Sequence, residues 1–378
     1  MTDAGRTPDA QVLARLRGLT QEAGLDGVVA MSQDNVTYVL GVGVPSHRLI
    51  RERRVAALVP VDGPLAVVAV TVEESFLQAH LADVDIRPYD EHTQSAMAVL
   101  ADLLAERGLD RARLGLEMDV IPAQDYAELT RRLPGARFED AALLFKRSRW
   151  VKTAREVERI RRGGRLADTA VREGFMAVRA GMTERALAAA MTDAFLRRGG
   201  DDVRLVVVGS GERSSHPNAP PTDRALRAGD VVRVDFLGTV DGYYTDCART
   251  AVVGEPTAEQ AATYRSLVEI HREVLSRLRP GVRTRDLYAL YHDRAGRHGL
   301  QPLRFLGHGL GLGLHEGPFI DAHTDVPLEP GMVFAIEPVH FVPHRVGFHL
   351  EDMVVVTLQG AEVVTDVTPT DSLWVIPA

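Results

Sequence analysis

Between Val231 and Thr250 the sequence VVRVDFLGTVDGYYTDCART places two acids inside a run that otherwise has the composition of a core strand. Val231, Val232, Val234, Phe236 and Leu237 form a β-rich apolar segment, Asp241-Gly242 is a two-residue hairpin signal, and Tyr243 to Val253 returns as a second strand. With that turn, Leu237 stands opposite Asp246 and Asp235 lies two residues further along. Side-chain alternation then puts both carboxylates on one face. Like charges held together away from water do not both stay ionised unless something positive neutralises them. The hairpin is therefore a solvated acidic edge or one wall of a cation site, and by itself it leaves both readings open.

Three downstream residues bear on the choice. His308 stands in FLGHGLGLGLHEG, where glycines let backbone segments approach closely. Glu337 closes the apolar strand Met332 to Ile336 just before Pro338, a residue suited to a strand end. Glu351 lies in VGFHLEDMVVV, where alternation groups it with His349 and Met353 between apolar neighbours. Together with Asp235 and Asp246 the set is four carboxylates and one imidazole, a donor type that selects manganese, cobalt, iron or zinc over thiophilic ions. Two divalent cations balance four carboxylates and one does not, so the expectation is a two-metal centre with ions about 3.5–4 Å apart. Asp246 is the expected bridge. His315 and His216, the latter in SGERSSHPNAPP, are candidates for polarising a substrate carbonyl or holding its oxyanion.

At 378 residues two domains are the default. A net charge of -8 argues against a nucleic-acid or anionic-membrane surface as the main partner. The single cysteine, Cys247, excludes an intramolecular disulfide and fits a reducing compartment. Alternation turns it away from the face of Asp246, as a packing residue. The N-terminal stretch lacks the apolar core of a signal peptide and no run approaches the ~18 residues of a membrane span, so the expected location is cytoplasmic.

Residues from about Pro8 to Phe145 alternate helix and strand patterns: a helix stopping at Gly24, a strand at Gly27 to Ala30, two strands around Asp62-Gly63-Pro64, a strand at Leu114 to Glu117, and a helix from Pro122 that Asp119 is placed to cap. His47 with Arg48, Arg51, Arg53 and Arg54 forms a basic knot, read as a solvated loop or an anion site. A long amphipathic helix is expected from Trp150, after the polar connector FKRSR, with the domain boundary between residues 147 and 148. Beyond it, Arg179 to Gly199 and Arg279 to Gly299 match at eight of twenty-one positions, which points to an internal duplication. An interface between two such halves is a frequent home for a site.

These segments resemble, in order, the creatinase/aminopeptidase P/prolidase family. The aspartate strand with its Gly-Tyr turn and Ser/Thr-Asp-x-x-Arg-Thr return is matched by Asp235, Gly242-Tyr243 and Thr245 to Thr250. Gly307 to Glu316, Pro330 to Pro338 and Glu351-Asp352 match the remaining family segments, so all five metal-ligand positions are filled. The resemblance implies an α/β (α+β) chain: a creatinase-type N-terminal domain, residues 1–147, then a pita-bread catalytic domain, 148–378, with an internally duplicated α/β half. It further implies a cytoplasmic homodimer and a hydrolase of Xaa-Pro peptides or related small amides. In that chemistry a metal-bridging hydroxide attacks the carbonyl, Glu337 serves as base and proton shuttle, and His216 and His315 help hold the tetrahedral intermediate. Two divalent ions are implied, manganese first, with cobalt, zinc or iron as alternatives. One departure stands out: His349 occupies the position, two residues before the last glutamate, where peptidase members carry a substrate-handling arginine. His349 is accordingly a substrate-binding candidate, and a specialised small-molecule amide hydrolase or lyase is the alternative reading. A catalytically silent binding module is the third reading, opposed by the intact ligand set.

Overall fold

The computed structural model describes residues 8–378, and the chain divides into two compact units, one ending at Arg149 and the other starting at Trp150. The first unit runs α1 (Ala10–Glu22), β1 (Gly27–Ala30), α2 (Gln33–Leu40), α3 (Pro45–Leu49), β2 (Ala56–Pro60), β3 (Ala66–Val70), α4 (Glu74–His80), β4 (Asp85–Tyr89), α5 (Ala96–Glu106), β5 (Arg113–Leu116), α6 (Ala123–Arg132), β6 (Arg137–Asp140) and α7 (Ala142–Ser148). Its six strands form one mixed sheet in the order β4-β3-β2-β1-β5-β6. Val28, Ala57, Val59 and Val67 face one apolar layer and Val29, Leu58, Ala66 and Val68 the other, so both sheet faces are covered. Three expectations change here. The FKRSR stretch is the last turn of α7 and not a connector. Asp119 does not cap α6, because its carboxylate pairs with Lys146 at 2.9 Å and Pro122 holds the cap position. In the basic knot, Arg53 pairs with Glu91 and Arg54 with Asp125 inside the unit.

The second unit begins with α8 (Ala154–Ala177), four residues later than the apolar pattern predicts. Thr153 caps it in a reciprocal box with Glu156, and Val151 is already used in a β-bridge to Met332. There follow α9 (Glu184–Arg197), β7 (Asp202–Ser210), β8 (Val231–Val240), β9 (Tyr243–Val253), α10 (Ala258–Arg277), α11 (Thr284–Arg297), β10 (Phe305–Gly309), β11 (Glu316–Asp321), β12 (Val333–Ile336), β13 (Val339–Val342), β14 (Val346–His349), β15 (Asp352–Thr357), β16 (Gly360–Val363) and β17 (Trp374–Ile376). The strands group as β17-β9-β8-β7, β11-β10-β12-β15-β16 and the hairpin β13-β14.

The duplication is visible in the backbone. After α8 and after α10 the chain turns through a left-handed glycine, Gly181 at φ 85° and Gly281 at φ 84°, and the next helix ends at Gly199 and Gly299, also left-handed. Gly181 N–H donates to Leu226 O and Gly281 N–H to Leu328 O, the same anchoring contact in each half. Each half has its own core: Phe175, Met191, Phe195 and Phe236 in the first, Leu267, Val274, Tyr291 and Phe334 in the second. Among the described residues, no helix is long and apolar enough to cross a membrane.

Candidate metal centre

The β8-β9 hairpin has the register its sequence demands. Val240 pairs with Tyr243 across Asp241 and Gly242, both at positive φ, and Leu237 faces Asp246 while Asp235 faces Ala248. Asp235, Leu237 and Asp246 thus share a face, and Cys247 points away, buried, with its Sγ 3.8 Å from Asp168 Oδ1. Helix α8 supports the hairpin from behind. A Cβ at Gly163 would lie 2.9 Å from Thr245 Cγ2, so the absence of a side chain there lets Thr245, and Asp246 after it, sit close against the helix.

The other half supplies the remaining donors. β10 is squeezed between β11 and β12: a Cβ at Gly307 would meet Ala335 O at 2.1 Å and one at Gly309 would meet Gly317 O at 2.5 Å. His308 between them is buried, and its Nδ1 lies 3.1 Å from Gly309 O. Donation of the Nδ1 proton to that carbonyl turns Nε2 toward the acids, where loss of its own proton would free a lone pair for a cation. It lies 3.4 Å from Glu337 Oε1 and 3.6 Å from Asp246 Oδ2. Glu337 leaves the end of β12, with its N–H held by Leu306 O at 2.8 Å. Glu351 sits between β14 and β15, its N–H donating to Ala248 O at 3.2 Å and so tying the two halves together at the acids.

Two sets of donor atoms result, Asp235–His349–Glu351 and Asp246–His308–Glu351, the atoms within each set lying within 4.8 Å of one another. Two ligands at about 2.0–2.2 Å from one ion stand at most about 4.0–4.4 Å apart, so a modest contraction closes each set around a cation. Glu351 belongs to both sets, which makes it the shared carboxylate where the sequence favours Asp246. Electrostatics agree with the donor chemistry. Burial pushes the carboxyls of Asp246 and Glu351 well above the usual range, and the neighbouring acids add to it; Asp235 is raised by burial too. Burial also works to raise Glu337, but the imidazoles of His308 and His349 outweigh it and hold it down at about 2. Asp235 Oδ1 and Glu351 Oε2 are buried and without a hydrogen-bond partner. Orphaned buried carboxylate oxygens are what a divalent cation would satisfy.

A cavity of about 480 Å³ opens over this cluster, lined by all five predicted ligands together with His315, His349 and a wall of Leu205, Phe305 and Phe341. His315 is exposed and stacks on His308, with ring centroids 3.8 Å apart. His349 is deeper than a purely substrate-facing role requires: its Nε2 lies 3.5 Å from Glu337 Oε2 and 3.9 Å from Glu351 Oε2, beyond hydrogen-bond range but inside the acid cluster. His216 is not brought to the cavity wall. It is exposed, its ring lies edge-on to His344 at 6.3 Å, and the next two residues, Pro217 and Asn218, line the cavity in its place. Arg233, which the sequence reading passed over as part of an apolar strand, also lines the cavity. The alternation that groups Asp235 with Leu237 places Arg233 on the same face, so the signal was present.

The chain matches the model of metallopeptidase family M24 over residues 158–358 and that of the creatinase/prolidase N-terminal domain over residues 13–151. It is 34% identical to the probable dipeptidase PepE of Mycobacterium tuberculosis (strain ATCC 25618 / H37Rv), over 93% of this chain and 94% of that protein. It is 29% identical to an Xaa-Pro dipeptidase of Lactobacillus helveticus, over 93% and 96%. Among solved structures, dipeptidase PepE from Mycobacterium ulcerans superposes with a TM-score of 0.81 at 32% identity, covering 98% of both chains. The Xaa-Pro dipeptidase from Bacillus anthracis superposes at 0.85 with 25% identity, covering 97% and 99%. The acid cluster, the duplicated half that carries it and these likenesses converge: the protein is a peptide-hydrolysing enzyme with a creatinase-type N-terminal domain, and it belongs to metallopeptidase family M24.

Proposed function

We propose that the protein hydrolyses the amide bond of small Xaa-Pro peptides at a two-metal centre held by Asp235, Asp246, His308, Glu337 and Glu351, with manganese as the expected metal. The observation that carries this reading is the pair of donor sets sharing Glu351 beneath a 480 Å³ cavity. Divalent cations bound there supply Lewis acidity, giving an acidic water as nucleophile and a polarised scissile carbonyl. Glu337, beside the imidazoles of His308 and His349, takes the proton released by the nucleophile and returns it to the leaving nitrogen. His315, stacked on His308 and open to the cavity, is placed to hydrogen-bond the carbonyl oxygen as charge develops on it. His216, exposed beside the cavity-lining Pro217 and Asn218, is assigned to the same oxyanion from the rim. Leu205, Phe305 and Phe341 exclude water and seat the apolar part of the peptide. The Xaa-Pro preference comes from the relatives, several of which are Xaa-Pro dipeptidases.

Metal analysis of protein purified after manganese or cobalt supplementation tests the centre, with two ions per chain expected. Xaa-Pro dipeptides, longer Xaa-Pro peptides and non-prolyl dipeptides assayed side by side test the substrate. A metal-loaded protein that cleaves none of them moves the assignment to a small-molecule amide hydrolase or lyase on the same scaffold. A chain that takes up no metal sinks the hydrolytic centre altogether. Light scattering on the eluting peak tests the homodimer that the family resemblance implies.

A further inference from the structure

Arg233 is fully buried in the wall of the cavity, two residues along β8 from Asp235. Three of its N–H groups are used on neutral backbone: Nε donates to Ser214 O at 3.1 Å, and Nη2 to His216 O and Pro217 O, each at 2.5 Å. The ring of Phe341 covers the guanidinium at 5.3 Å. Nη1 has no acceptor, and among the described residues no carboxylate lies within ion-pair distance of Arg233. Arg249, equally buried in the same hairpin, shows what a guanidinium takes when it has only structural work: Asp352 at 2.8 Å and Asp168 at 3.3 Å. Arg233 is thus a buried fixed charge, anchored and oriented by the 214–217 segment, in a residue that lines the cavity, with one buried nitrogen, Nη1, left without an acceptor. A buried charge without a counter-ion is strongly unfavourable unless a ligand completes it.

The acids nearby do not fill that role in the working state. Two divalent cations held by Asp235, Asp246, Glu337 and Glu351 would compensate those carboxylates, none of which lies within ion-pair distance of Arg233. We propose that Arg233 Nη1 receives the C-terminal carboxylate of the substrate and thereby restricts the enzyme to dipeptides. The spacing fits. Two residues of strand separate Arg233 from Asp235 by about 7 Å. One residue beyond the scissile bond spans about 3.3–3.6 Å, and a charge-assisted hydrogen bond of about 2.8 Å covers the rest. A longer peptide would place an uncharged amide where the guanidinium needs an anion.

The inference rests on the peptide reading of the same site, and a binding measurement separates the two. The probe is a reduced-bond Xaa-Pro analogue, which no hydrolase cleaves, prepared as the C-terminal free acid and as the C-terminal amide. Both are titrated calorimetrically into manganese-loaded wild type, Arg233→Gln and Arg233→Lys, with metal content and thermal unfolding recorded for each. Wild type is expected to bind the acid between about tenfold and a hundredfold more tightly than the amide, the range a charge-assisted hydrogen bond supplies. The acid-to-amide ratio should fall below about threefold in Arg233→Gln and lie between the two in Arg233→Lys. Loss of affinity for both forms alike would make Arg233 a structural anchor of the 214–217 segment and overturn the proposal. So would a wild type that does not distinguish acid from amide. If Arg233→Gln fails to fold, the lysine variant decides: a ratio equal to wild type, or a parallel loss of both forms, overturns it. A protein that cleaves no Xaa-Pro peptide yet shows the Arg233-dependent acid preference would lose the peptidase reading and keep the carboxylate site.

Discussion

On the side of β9 turned away from the cavity, Arg249 lies between Asp168 of α8 and Asp352 of β15, with Thr365 Oγ1 donating to Asp352 at 2.7 Å and the N–H groups of Val367 and Thr368 donating to Asp168. On the cavity side of the same strand, Asp246 stands with Glu351, Asp235 and Glu337 against two imidazoles, and two carboxylate oxygens have no partner. The two clusters are a strand's thickness apart and both are buried, yet one is compensated by the protein and the other is not. Asp352 illustrates the first: burial works to raise its carboxyl, and Arg249 more than offsets this and lowers it. Asp246 and Glu351 illustrate the second, raised by burial and by the neighbouring acids Asp235 and Glu337. The difference separates a structural charge network from a binding one. Arg249 Nη1 also donates to Glu351 O, so the satisfied cluster fixes the backbone from which the unsatisfied one projects.

The comparison can be broken most decisively from the cavity side. Asp246→Asn or Glu351→Gln should cut metal affinity and peptidase activity at least about a hundredfold, more than outer-sphere changes typically do; plasma emission analysis showing two ions still bound would refute the assignment. From the opposite side, Arg249→Leu leaves Asp168 and Asp352 buried without their cation and should cost about 3–5 kcal/mol of unfolding free energy in urea titration. A loss under about 1 kcal/mol would mean that the backbone donors alone satisfy those acids. Divalent cation at a hundredfold excess over its dissociation constant should stabilise wild type by about 2.7 kcal/mol and the Asp246→Asn variant far less, as read by thermal melts with and without chelator. The smallest effect is expected at Gly163→Ala. Its methyl would press on Thr245, which is held by Gly238 N–H donating to its hydroxyl at 3.0 Å, and overpacking should outweigh the helix-propensity gain by roughly 1 kcal/mol. An unchanged or raised melting temperature would show that the hairpin floats freely over α8.

Much of the centre was legible because a two-residue turn and strict alternation fix a hairpin's register without help from the rest of the chain. Asp241-Gly242 set Leu237 opposite Asp246, and the faces of Asp235, Asp246 and Cys247 followed. Arg233 obeyed the same rule and was missed only because its neighbours are valines. The duplication was legible in eight shared residues, since the same helix stops and left-handed glycines are needed twice. Helix boundaries were less so. The start of α8 was set by the Thr153 box and the Val151 bridge, and Asp119 was claimed by Lys146 before it could cap α6.

The sequence by itself determined which residue types and faces were available: acids on strands, a histidine among glycines, a paired turn. These depend on local backbone geometry, which neighbours in the chain dictate. Only the tertiary structure decided who shares a site. It put Glu351 in both donor sets, drew His349 in among the acids, left His216 exposed, and gave Arg233 three carbonyls but no counter-ion. The physical reason is that charge compensation is a property of space and not of sequence. Asp246 and Arg249 are three residues apart, and what they pair with, His308 and Asp352, comes from strands 62 and 103 residues away.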